Sequence, residues 1–169
     1  MTNTTELIIA SSEYSKWTNN YSVGPFWKNS NFEWFRSIPS PRTKGKIGEE
    51  IVALYMKQLG HIIQKPLNKD HDRIINNHKV EIKTSTTWNN KPDRFTWQQI
   101  RQNDDFDRVI FLGINPNDTQ MYWASYDDLV KNLFCHDKYR QHKGASGGQD
   151  MFWIQNASRL DWFSEMKDF

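Results

Sequence analysis

Apolar residues recur along this chain with two periods, and the switches between them mark out its elements. Across 46–59 (KIGEEIVALYMKQL), Ile47, Ile51, Leu54, Tyr55 and Leu59 keep helical spacing, which predicts an amphipathic helix. Gly60 stands where a glycine closes such a helix. HIIQK at 61–65 reads as a short strand. In 72–85 (DRIINNHKVEIKTS) the period drops to two, and Asn76-Asn77 can supply a two-residue turn, so a β-hairpin is expected. The run FTWQQIR predicts a helix near 95–102, DRVIFLGI at 107–114 a central strand and MYWA at 121–124 another strand. Pro116-Asn117-Asp118 is turn chemistry between the last two. Ser125 is placed to cap a helix over YDDLVKNLF, with Asp127 and Asp128 in its first turn.

The flanks are less regular. Residues 1–45 predict a short helix near 12–18, then irregular chain carrying Phe26, Trp27, Trp34 and Phe35. This stretch ends in a basic strip of Arg42, Lys44 and Lys46, with Arg36 upstream. Residues 136–150 read as a polar, Gly-rich mobile loop, followed by a strand at 151–154 and a closing segment with Leu160, Trp162 and Phe163. From residue 46 the order is helix, strand, strand, strand, helix, strand. The expected architecture is one mixed α/β domain spanning 1–169, with an aromatic-rich extension over 1–45, a core over 46–124 and a helix, basic loop and closing segment over 125–169.

Composition narrows the partners. The chain has 169 residues and a net charge of +2, so a face for nucleic acid has to come from local clustering. Eight Trp, ten Phe and six Tyr are expected mainly in the core and at a subunit interface. A single cysteine, Cys135, excludes an internal disulfide framework and fits a reducing cytoplasm. Neither a secretory leader nor a membrane span is expected. Cys135-His136 lacks the second pair a zinc site needs, and no phosphate-binding or dinucleotide glycine motif occurs.

The hairpin register carries the chemistry. With Asn76-Asn77 as the loop, Ile75 faces His78 and Asp72 falls opposite Glu81. Glu81, Lys83 and Ser85 then share one face, while Val80 and Ile82 point into the core. Two close carboxylates repel, and a hard divalent cation relieves them; magnesium, which takes one or two carboxylates and otherwise water and phosphate oxygens, suits such a pair. A lysine beside them can orient a water and offset charge developing on a phosphate.

Asp72 followed nine residues later by Glu81-Ile82-Lys83 resembles the PD-(D/E)XK nuclease superfamily, over about residues 44–124. An isolated Glu-x-Lys is weak, since Glu165-Met166-Lys167 is a second one; the set of opposed Asp72, apolar strand and preceding helix is what singles this one out. His71 stands where the family name has proline. The resemblance implies a restriction-endonuclease-like fold and magnesium held by Asp72, Glu81 and the backbone carbonyl of Ile82. It further implies a water positioned by Lys83, and Glu49, eleven residues before Gly60, acting through water or a second metal, with Glu50 as fallback. The segment from Phe95 to Arg101 also looks like one that follows this motif in small restriction-type nucleases. Gln98, Gln99 and Arg101 could there reach DNA, or line a solvent-exposed helix face. Arg42, Lys44 and Lys46, and the loop residues Lys138, Arg140, His142 and Lys143, are candidate phosphate contacts. The implied activity is hydrolysis of double-stranded DNA at a short site, as a homodimeric type II restriction endonuclease. A phage or repair nuclease, a DNA-binding module that does not cut, and an aromatic-rich ligand-binding domain are the alternatives.

Overall fold

The computed structural model describes residues 23–88, 91–141 and 151–169. The expected helix near 12–18 lies outside them. Helix α1 spans Glu33–Ser37 and α2 spans Pro41–Gln58. The strands are β1 Ile63–Gln64, β2 Arg73–Ile75, β3 His78–Thr86, β4 Phe95–Arg101, β5 Arg108–Ile114 and β6 Thr119–Ser125. Helix α3, Tyr126–Leu129, continues as a wider turn over Val130–Phe134. Strands β7 (Met151–Ala157) and β8 (Ser164–Glu165) follow. Among the described residues no helix is long and apolar enough to cross a membrane.

Six strands form a mixed sheet in the order β1-β2-β3-β5-β6-β8; β3 and β5 run parallel and the other neighbours antiparallel. Strands β4 and β7 pair as a separate small sheet. Alternation on β3 and β5 divides the interior in two. Val80, Ile82, Ile110, Leu112 and Ile114 pack with Ile47, Ile51, Val52, Tyr55 and Met56 of α2 on one face. Val109 and Phe111 pack with Phe95, Trp97, Ile100, Phe152 and Ile154 of the small sheet on the other. The small sheet lies close: a Cβ on Gly113 would sit 2.6 Å from the Phe95 ring.

Several expectations change. Helix α2 starts five residues before the predicted point, because Ser40 caps it by accepting the Thr43 N–H (3.2 Å) and Pro41 occupies its first turn. Arg42, Lys44 and Lys46 therefore lie on helix, not on a loop. Val52 and Met56 take core positions, while Leu59, past the helix end, is exposed. Gly60, at φ +88°, closes the helix as expected. Trp34 and Phe35 lie on α1, and Trp27, Phe32 and Phe35 are buried in the chain's own core. Trp27, Phe32 and Phe35 thus serve the core, while Trp34 is only partly buried.

The helix expected near 95–102 is strand β4, and the reason is a pair of bulges. Phe95 pairs with Ala157, Trp97 with Ile154 and Ile100 with Phe152, so β7 carries one extra residue in the first interval and β4 one in the second. Asn156 (φ +50°) and Gln99 (φ +57°) are the left-handed residues in those intervals. The extra residue turns a two-residue alternation into the spacing Trp97, Ile100, which imitates a helical i, i+3 step. The predicted helix at 126–134 stands, closed at its start by reciprocal bonds between Ser125 and Asp128.

Candidate functional site

The β2–β3 hairpin turns on Asn76 (φ +48°) and Asn77 (φ +67°), the left-handed pair that a two-residue loop requires. Ile75 faces His78, Ile74 faces Lys79 and Arg73 faces Val80. One residue further out the ladder gives way. The Asp72 N–H donates to the Val80 carbonyl (3.0 Å), and the Asp72 carboxylate accepts the Ile82 N–H (2.8 Å). A side chain thus replaces the next ladder bond and pins Asp72 beside Glu81. Lys83, two residues on and on the same face, donates to Glu81 Oε1 at 2.5 Å. Both side chains are largely withdrawn from water, Lys83 17% and Glu81 12% exposed.

This crowding shows in protonation. Burial pushes the Glu81 carboxyl up to about 7; Lys83 opposes the shift and Asp72 adds to it. Glu49 is likewise pushed up to about 7, first by burial and then by the charge of Asp72, with Arg73 opposing. Glu49 comes from the other side of the sheet. Its helix approaches β3 where Gly48 leaves room: a Cβ there would lie 2.0 Å from Thr84 Oγ1. Arg73 lies 3.5 Å from the Glu49 carboxylate, bonds Glu50 at 2.5 Å and donates to the Asp72 carbonyl at 2.6 Å. Sequence reading passed over Arg73. The signal was alternation, since a residue next to Asp72 on β2 must point the opposite way, toward α2.

Glu81 and Lys83 open onto a polar cleft of about 490 Å³, lined also by Lys69, Asp70, Gln99, Arg101 and Asp104. Two of the predicted DNA contacts, Gln99 and Arg101, therefore share a cavity with the motif, although from a strand and not from a helix. Gln98 is exposed outside this lining. Glu49, Arg42, Lys44 and Lys46 do not line it either. Lys44 is turned inward: its ammonium donates to the Arg36 carbonyl (3.0 Å), and burial lowers its pKa to about 8, with the Arg36 charge adding to the shift. Lys138 lies over the Tyr139 ring, and Arg140 over Phe152 and 3.5 Å from Asp137. His142 and Lys143 lie outside the described residues. A second hollow, of about 400 Å³ beside α2, is lined by Glu50, Ala53, Leu54, Lys57 and His61–Ile63 and gathers no opposed carboxylates. Cys135 is exposed and donates to the Lys131 carbonyl.

Asp72 and Glu81 offer hard oxygens, and of the two Glu81 lines the cleft. Among the described residues no group of three or more His, Cys, Asp or Glu side chains is placed to hold a metal ion. Two carboxylates without imidazole or thiolate partners are the chemistry of an ion that takes most of its ligands from water and substrate, as magnesium does, and not that of a zinc site. No family model matches the chain, and no curated protein matches it in sequence. Among solved structures, a bacterial homing endonuclease aligns with 54% of this chain and 69% of its own, at 20% identity and a TM-score of 0.41. So loose a likeness leaves the reading to the cleft itself.

Proposed function

We propose that this chain is a magnesium-dependent endodeoxyribonuclease of the PD-(D/E)XK superfamily, cutting double-stranded DNA at a short site as a type II restriction enzyme does. One observation carries the reading: Asp72, Glu81 and Lys83 converge on one face of a hairpin, with Glu81 and Lys83 opening onto a polar cleft. Asp72, Glu81 and the Ile82 carbonyl would hold the ion, which when bound supplies charge for the phosphate and acidity for a water. The chain's own residues do the rest. The Ile82 N–H fixes the Asp72 carboxylate, so the pair is organised before substrate arrives. Lys83 holds a positive charge beside Glu81, where it can orient the attacking water and offset charge growing on the phosphate. Glu49, held between Arg73 and the field of Asp72, acts from behind the site. Strand β4 stands where the family's core has a helix, so the likeness rests on the hairpin, α2 and β5.

A two-fold site is cut in both strands most simply by a dimer, and we assign this chain that state. The test is incubation with unmethylated plasmid and phage DNA in magnesium, with sedimentation in the presence and absence of DNA. Discrete fragments that vanish with a chelator are expected. Cutting confined to branched DNA would redirect the reading to repair. Binding without cutting in magnesium or manganese would leave a DNA-binding module, and a monomer on DNA would remove the dimer.

A further inference from the structure

The bulge on β4 changes which side chains face the cleft. Phe95 and Trp97 are buried, and unbroken alternation would send residue 99 into the same core and residue 100 out. The extra residue reverses the phase. Ile100 becomes fully buried, and Gln99 with Arg101 lines the cleft that holds Glu81 and Lys83. The reversal has a cost, since Gln99 adopts φ +57°, a region side-chain-bearing residues seldom occupy. It also has a dedicated support. The Gln99 N–H, which an extra residue takes out of the ladder, donates to Oε1 of Gln141 at 3.0 Å. Gln141 is only 5% exposed, and its own N–H donates to the Met151 carbonyl of β7 (2.8 Å). A buried amide bonded to β7 therefore holds the bulge in place. Glycine at 99 would satisfy the backbone without strain; a glutamine there points to a task for the side chain.

We infer that this bulge is a specificity device: it turns Gln99, together with Arg101, onto base edges beside the phosphate being cut, and Gln141 is the positioning residue that keeps it so. The inference rests on the nuclease reading and names what that site selects. A glutamine amide matches adenine, donating to N7 and accepting from N6, and an arginine matches guanine O6 and N7 or a phosphate. Both residues share the cavity of Glu81 and Lys83, so the bases they read flank the scissile bond.

The experiment is cleavage of a randomised DNA duplex library in magnesium, with the ends sequenced, for wild type, Gln99→Gly, Gln141→Leu and Gln141→Glu. Gln99→Gly keeps the left-handed backbone without strain, so the fold is not at stake. It should flatten wild-type preference at a position flanking the cut by roughly 5- to 150-fold, while cleavage of the pooled library persists. Gln141→Leu removes the acceptor and should relax the same position; Gln141→Glu keeps an acceptor oxygen and should restore it. Melting curves separate loss of folding from loss of preference in the Gln141 variants. Unchanged base frequencies in Gln99→Gly, with wild type cutting, overturn this inference alone. Wild type that neither binds nor cuts the library overturns the nuclease reading and this inference with it.

Discussion

Val80, Ile82 and Thr84 leave β3 on one side, and Glu81, Lys83 and Ser85 leave it on the other. The first side is closed by α2, whose Ile47, Ile51 and Val52 complete a hydrocarbon core. The approach is so close that Gly48 has no room for a methyl group against Thr84. The second side is closed by the small sheet only in part: Ser85 is buried and bonds the Thr96 N–H, while Glu81 and Lys83 face polar walls. Both sides are withdrawn from bulk water, yet by opposite means. Hydrocarbon on one side gives cohesion without direction. Charge on the other is tolerable only when paired, which is why Glu81 and Lys83 touch. A strand with a period of two thus fixes charged groups against a rigid support one residue away.

Substitutions on the two sides should separate activity from stability. The largest effect is expected from Asp72→Asn and Glu81→Gln: loss of magnesium-dependent plasmid cleavage by roughly 10³-fold or more, beyond the cost of a single lost hydrogen-bond donor. DNA binding in calcium and the circular dichroism spectrum should persist, and wild-type rates in either variant would eliminate the site. Lys83→Met should lower kcat by about 10²- to 10³-fold, because it removes a charge and leaves the oxygen donors in place; a magnesium titration should show a nearly unchanged midpoint. On the apolar side the readout reverses. Ile110→Ala, beside Ile82, should cost about 2–5 kcal/mol in urea unfolding, with the folded fraction still cutting at the wild-type rate. A drop in rate per folded molecule would mean that the two sides are not separable. Smallest is Asn77→Gly, which relieves a left-handed residue in the hairpin loop and should raise stability by no more than about 0.5 kcal/mol, leaving both activity and unfolding cooperativity unchanged.

The hairpin was legible in the sequence because every device that sets it is local: a two-Asn turn, strict alternation and an aspartate within reach of the facing strand. Strand β4 was not legible, because its bulges are defined by pairing with β7, 52 to 62 residues away, and one inserted residue gave Trp97 and Ile100 a helical interval. The start of α2 is set locally by Ser40-Pro41, a helix-opening pair whose signal is obscured by the irregular, proline-bearing stretch before it. The spacing to Gly60 singles out Glu49, but its tie to Arg73 depends on which faces of α2 and β2 meet. The cleft itself was invisible, because Gln99 and Arg101 reach it only through the phase reversal on β4.

The six-stranded sheet ends in β1 and β8, each two residues long. Among the described residues nothing pairs beyond these edges, and around β1 the surroundings are inviting to a passing strand, with Ile62 and Leu67 exposed at 69% and 77%. Brevity is the safeguard. Ile63 and Gln64 are followed at once by Lys65 and Pro66: a charge that resists stacking and a ring without an N–H to donate. A neighbouring chain finds too few consecutive bonds to hold on to, so the apolar rim can stay exposed without seeding fibrils.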